Sequence, residues 1–179
     1  MGKIEDAFFE ANAKGLASEP LTVELLQGAK DELRKDHYNW LFISVWFGLR
    51  PLEIDELQDK DTWTIRKEGN IQVFTVYQSK LTSISRDKRW KLIPILFPEE
   101  EEAMRIIKSG EFSRPLVKTL ETKVGEGITC YGGRKNFTDL MLDKGYSLES
   151  ISAWMGHSSI ETTWQKYKNR LAVSIKKIS

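Results

Sequence analysis

Five side chains in this sequence have the types needed to grip and attack an anionic ester. They are Arg50 at the junction of two helical segments, Lys80 at the end of a strand-like run, Arg134 early in a helical segment, His157 in a turn, and Tyr167 ten residues beyond it. Two guanidiniums can hold the nonbridging oxygens of a phosphate through forked donors. A lysine or histidine adds hydrogen bonds and protons, and a tyrosine hydroxyl can serve as nucleophile. Each residue also has a plainer reading. Arg50 could close a helix-end ion pair with Glu53 or Asp55, Arg134 could pair with Asp139 or Asp143, His157 could cap a turn, and Tyr167 could pack on Trp164. Other chemistries lack their residues. No Gly-x-x-x-x-Gly-Lys-Ser/Thr, Gly-x-Gly-x-x-Gly, His-Glu-x-x-His or Gly-x-Ser-x-Gly sequence occurs, and two histidines with one cysteine are too few for a histidine- or cysteine-rich zinc site. No metal and no cofactor is expected.

The elements that must position these residues are outlined by the hydrophobic pattern. Thr22 reads as an N-cap, and Val23, Leu25, Leu26, Ala29 and Leu33 as one face of a helix reaching about Asp36. His37 then falls in an exposed linker. Tyr38 to Phe47 is too uniformly apolar for a surface helix and predicts a buried one, ended by Gly48. Pro51 suits the first position of a short helix through Leu57. Residues 62–67 and 71–79 alternate and are rich in β-branched and aromatic types, with Glu68-Gly69-Asn70 as the turn of a hairpin. Residues 90–96 offer a third strand, with Pro94 placing it at an edge or marking its end. Pro98 and four glutamates open another helix, and residues 115–124, 131–144, 148–155 and 159–169 predict further ones. The fold class is therefore α+β and mostly α: a helical domain with a small antiparallel three-stranded sheet.

The length of 179 residues suits one domain, and 40% hydrophobic with 30% charged residues is a globular composition. The longest apolar run, residues 40–49, is about half a bilayer span, so no membrane partner is expected. A lone Cys130, buried and inert in this reading, fits a reducing, cytoplasmic compartment. The formal charge of +1 argues against nucleic acid until it is divided along the chain. Residues 1–60 carry seven basic and 12 acidic groups, whereas residues 61–179 carry 20 and 14. That polarity permits a basic face.

The motifs then resemble a known family, the tyrosine recombinases or phage-type integrases. Phe47-Gly48-Leu49-Arg50-Pro51-Leu52-Glu53-Ile54-Asp55-Glu56-Leu57 is similar to their first arginine box. Tyr131-Gly132-Gly133-Arg134, Gly145-Tyr146-Ser147-Leu148-Glu149-Ser150-Ile151, Trp154-Met155-Gly156-His157-Ser158-Ser159-Ile160 and Thr162-Thr163-Trp164-Gln165-Lys166-Tyr167 resemble their second box in order and spacing. Gln78-Ser79-Lys80 is similar to the family's hairpin lysine, although Lys88 and Lys91 lie in the same basic stretch.

The resemblance implies a catalytic domain for site-specific DNA recombination, acting through a 3′-phosphotyrosyl intermediate without cofactor or metal. Arg50 and Arg134 would clamp the scissile phosphate, His157 would donate to it, Lys80 would protonate the leaving 5′-oxygen, and Tyr167 would attack. Glu53 would orient its neighbours. Arg86, Lys88, Arg89 and Lys135 are expected along the DNA. Duplex DNA is the implied substrate, with further protomers in a tetrameric synapse. Residues 1–18 read as an interdomain linker remnant, 19–170 as the catalytic domain, and 171–179 as a tail that docks on a neighbouring protomer. Two positions depart from the family pattern. Tyr131 stands where histidine is usual, and phenols, which titrate near about 10, are poor bases at neutral pH. The interval from His157 to Tyr167 is ten residues where nine is common. On a continuous helix one extra residue turns a side chain by about 100°. These departures define a rival, a catalytically impaired DNA-binding or assembly module on the same fold.

Overall fold

The apolar run that predicts a buried helix forms the central element of the computed structural model, which describes residues 17–78 and 90–156. This helix, α2 (Lys35–Phe47), follows α1 (Val23–Gly28), and Trp40, Leu41, Ile43, Val45 and Phe47 are each at most 1% exposed. A helix apolar all round is stable only when covered on every side. The cover comes from α3 (Pro51–Glu56), a sheet of β1 (Trp63–Glu68), β2 (Ile71–Tyr77) and β3 (Trp90–Ile95), then α4 (Pro98–Ser109), α5 (Val117–Lys123), α6 (Gly132–Asp143) and α7 (Leu148–Met155). α2 packs against α4 and α6, and the Phe47 ring lies 4.8 Å from that of Phe74 in β2. The fold class is the expected one, α+β with most of its elements helical.

Strand order is β1-β2-β3 and both pairings are antiparallel. Pro94 pairs with Val73 on β3, an edge strand among the described residues, where its missing N–H costs no second ladder. In the register Phe74 faces Ile93 and Val76 faces Lys91, so these four side chains share one row of the sheet. Ile93 is 1% and Lys91 3% exposed, while the intervening Leu92 is 40% exposed. That row faces the helices.

Two boundaries differ from expectation. The first helix ends at Gly28 rather than near Asp36 and gives way to turns at Ala29 to Glu32, although Leu33 still buries its side chain. α2 restarts at Lys35, so His37 lies in its first turn and not in a linker; burial lowers its pKa. The apolar spacing thus marks contact with the core across a break in the helix. Other termini agree with their sequence signals: the Thr22 side chain accepts from the Leu25 N–H, and Pro51 and Pro98 open their helices.

Candidate functional site

Arg50 owes its place to a glycine. α2 ends at Gly48 in the left-handed conformation (φ +61°), and a Cβ there would lie 2.5 Å from the Phe137 ring of α6. Any other residue would force the end of α2 away from α6. Leu49 is then fully buried, Pro51 starts α3, and Arg50 sits at the N-cap between them with its side chain 19% exposed.

Arg134 is placed by the same kind of contact from the other side. A Cβ on Gly133 would stand 2.7 Å from the backbone of Ser44 and Val45, so the bare glycine lets α6 lie directly on α2. One residue on, Arg134 reaches back with Nη1 donating to the Gly48 carbonyl (2.8 Å) and Nη2 to the Met155 carbonyl at the end of α7 (3.2 Å). These bonds use two of its five N–H donors. Burial and the neighbouring Arg50 lower it to about 10, still a cation at neutral pH.

Glu53, 3% exposed, holds the cations together. Its Oε1 accepts from the Arg50 backbone N–H (2.7 Å) and from Lys91 Nζ (2.8 Å), and its Oε2 from Arg50 Nη1 (3.2 Å). Burial pushes this carboxyl up, but Lys91 and Arg50 more than reverse that and leave it below the ordinary value. Lys91 comes from the helix-facing row of β3 and also donates to the Met155 carbonyl (3.4 Å). Burial brings its ammonium down to about 8, with Glu53 opposing and Arg134 and Arg50 reinforcing the shift. Gln78, at the end of β2, accepts from Arg50 Nη1 (3.2 Å). Gly156 closes the set: its φ is +73°, and a Cβ would fall 2.0 Å from Gln78 Oε1.

Among the described residues, Arg50 and Lys91 therefore share the Glu53 carboxylate and Arg134 stands close enough to feel it, a local charge of about +2 in a region of low dielectric. The uncompensated charge favours an anion over the exposed edge of Arg50. The helix-end pair of Arg50 with Glu53 is present, and it leaves one edge of the otherwise buried Arg50 side chain exposed.

The structure thus brings Arg50, Glu53 and Arg134 together. Tyr131 is the half-buried N-cap residue of α6, close enough to Arg134 to act on it electrostatically, and Lys135 is exposed on the same helix. Lys80, Arg86, Lys88, Arg89, His157 and Tyr167 lie outside the described residues, as do the 159–169 helix, the 171–179 tail and most of the 1–18 linker. Sequence reasoning passed over Gln78 and the Met155 carbonyl, and it set Lys91 aside as a competitor of Lys80. Strand alternation carries the missing signal, since an inward Ile93 requires an inward Lys91. Among the described residues no group of three or more His, Cys, Asp or Glu side chains stands close enough to hold a metal ion, and no helix is long and apolar enough to cross a membrane.

No family model matches the sequence, and no curated protein matches it. Solved structures do. The chain is similar to the XerH site-specific recombinase bound to a difH substrate, with a TM-score of 0.57, 16% identity, and coverage of 90% of this chain and 54% of that one. It is also similar to the Tn1549 transposon integrase in complex with transposon right end DNA, with a TM-score of 0.52, 18% identity, and coverage of 88% and 65%. The chain thus spans about half the length of the XerH recombinase and under two thirds of the Tn1549 integrase. At this identity the likeness is one of fold, the fold that the chain shares with the XerH recombinase and the Tn1549 integrase over the matched part.

Proposed function

We propose that this chain is the catalytic domain of a site-specific DNA recombinase of the phage-integrase type, cutting and rejoining duplex DNA through a 3′-phosphotyrosyl link. The observation that supports it most is the cluster at the α2–α3 junction, where Arg50 and Lys91 share the Glu53 carboxylate and the Arg134 guanidinium lies beside them. The DNA-bound state of the XerH and Tn1549 structures adds support.

In this reading Arg50 and Arg134 hold the nonbridging oxygens of the scissile phosphate and His157 donates a further hydrogen bond. The Tyr167 oxygen bonds to phosphorus as the phenol gives its proton to solvent water, the bond from phosphorus to the 5′-oxygen breaks, and that oxygen takes a proton from Lys80. Attack by the 5′-hydroxyl of a partner strand reverses the step. Ester energy is kept in the covalent link, so the protein has only to position groups and stabilise charge on the phosphorane. Glu53 orients Arg50, Tyr131 contacts the phosphate as a donor, and Arg86, Lys88, Arg89 and Lys135 track the backbone. Residues 19–170 form the catalytic domain, residues 1–18 belong to an interdomain linker, and residues 171–179 dock on a neighbouring protomer in a tetrameric synapse. The reaction takes place where DNA is, in the cytoplasm of a prokaryotic cell.

The test is covalent capture on nicked suicide duplexes carrying a randomised sequence, read as an adduct that survives detergent. The chain forms the adduct and Tyr167→Phe does not. Duplex binding with no adduct would replace this reading by the non-enzymatic one.

A further inference from the structure

Lys91 is one of the most enclosed charges among the described residues, with its side chain 1% exposed, and it is too deep to touch a phosphate itself. Taking an ammonium out of water is strongly unfavourable unless hydrogen-bonded partners of opposite charge offset it. Here the partners belong to three separate elements. Nζ donates to Glu53 on α3 (2.8 Å) and to the Met155 carbonyl that ends α7 (3.4 Å), while β3 carries the residue itself. Each partner is shared with an arginine: Glu53 also receives Arg50, and the Met155 carbonyl also receives Arg134. The methylene stem is fixed as well, since a Cβ on Gly156 would lie 3.1 Å from Lys91 Cδ. The ammonium thus touches one acceptor of each arginine.

We propose that Lys91 is a positioning residue, whose buried ammonium locks Arg50 and Arg134 into a common geometry for one phosphate and anchors the α7 terminus from which the chain runs on to His157. The proposal rests on the recombinase reading of the site and adds to it a residue that contacts no substrate. The charged groups that face Lys91 are Glu53 from α3, Arg50 from the junction and Arg134 from α6; α7 offers a carbonyl. Loss of its proton would leave Glu53 to Arg50 alone and loosen the tie to Met155.

The test is the rate of covalent capture, from pH 6.5 to 9.5, on a duplex recovered from the randomised pool. The wild-type rate falls as pH rises through about 8, where Lys91 titrates. Lys91→Met captures about 10–100-fold more slowly, the scale usual when an orienting partner behind a ligand-binding group is removed, and its profile lacks that step. Because Lys91→Met strands a buried carboxylate, Lys91→Met/Glu53→Gln is measured beside it. The double variant removes both charges, keeps the net +2 of the two arginines, and leaves the glutamine carbonyl to accept from the Arg50 N–H. It too is slow and lacks the step. A wild-type rate in the double variant, or an unchanged step near pH 8 in either variant, overturns the positioning role. Absence of capture by the wild-type chain itself overturns the recombinase reading and this proposal with it, and the two failures are distinguished by which protein is inactive.

Discussion

α2 runs between two charged clusters that differ in a telling way. At its N-terminal end Arg34 pairs with Asp36 through Nε (3.0 Å), Lys35 pairs with Glu111 (3.2 Å), and Ser113 donates to Asp36. Each cation there has its own carboxylate, and Arg34 and Lys35 are 68% and 80% exposed. At the C-terminal end Arg50 and Lys91 share Glu53, which is 3% exposed, and Arg134 stands close enough to feel the same carboxylate while donating to two backbone carbonyls. The first cluster is balanced and bathed in water, so it offers an anion nothing. The second is unbalanced and shielded, which is how a protein stores attraction for a ligand it has not yet bound. Burial with an unequal count of charges distinguishes a site from a decorated surface here.

Three substitutions sharpen that contrast. Glu53→Gln has the largest expected effect on stability, a loss of about 3–5 kcal/mol in denaturant melts at pH 7, because it leaves the buried Lys91 ammonium without its carboxylate and takes the same partner from Arg50. Since the folded-state pKa of Glu53 is depressed, its contribution is complete above the unfolded value near 4.5 and is lost as pH falls through the lowered folded value, so the variant loses part of the acid limb of the wild-type stability curve. Arg134→Ala follows, with covalent capture slowed by about 10²–10³-fold, as for loss of one donor aimed at transition-state charge. Smallest is Asp36→Asn at the balanced end. It costs no more than about 1 kcal/mol, falls further with added salt, and leaves capture unchanged. A cost for Asp36→Asn equal to that of Glu53→Gln would erase the distinction between the two ends.

Much of this was legible in the residues. The unbroken apolar run announced α2, Gly48 and Pro51 announced its end and the start of α3, and Pro94 announced an edge strand, because each signal acts through its own backbone or through burial on all sides. Arg50 and Arg134 stand in the two boxes, and the two glycines beside them, Gly48 and Gly133, mark where α2 and α6 touch. The break after Gly28 was not legible, since Leu33 keeps its apolar spacing while the helix beneath it has stopped. The burial of Lys91 is hidden for a related reason. Composition placed it in a basic, solvated stretch, and only the strand register, which sets it opposite Val76, turns it inward. Gln78 and the Met155 carbonyl depend on how β2 and α7 converge, and no local pattern encodes that.

The central claim is that the unbalanced end of α2 takes a DNA phosphate. Arginine Nε–H resonances, followed by NMR during titration with a short duplex at low salt, test it most directly. The account predicts that Arg50 and Arg134 shift and exchange more slowly with water while Arg34 stays unmoved. Equal responses at Arg34 and Arg50, or none at Arg50 and Arg134 under saturating duplex, would contradict it.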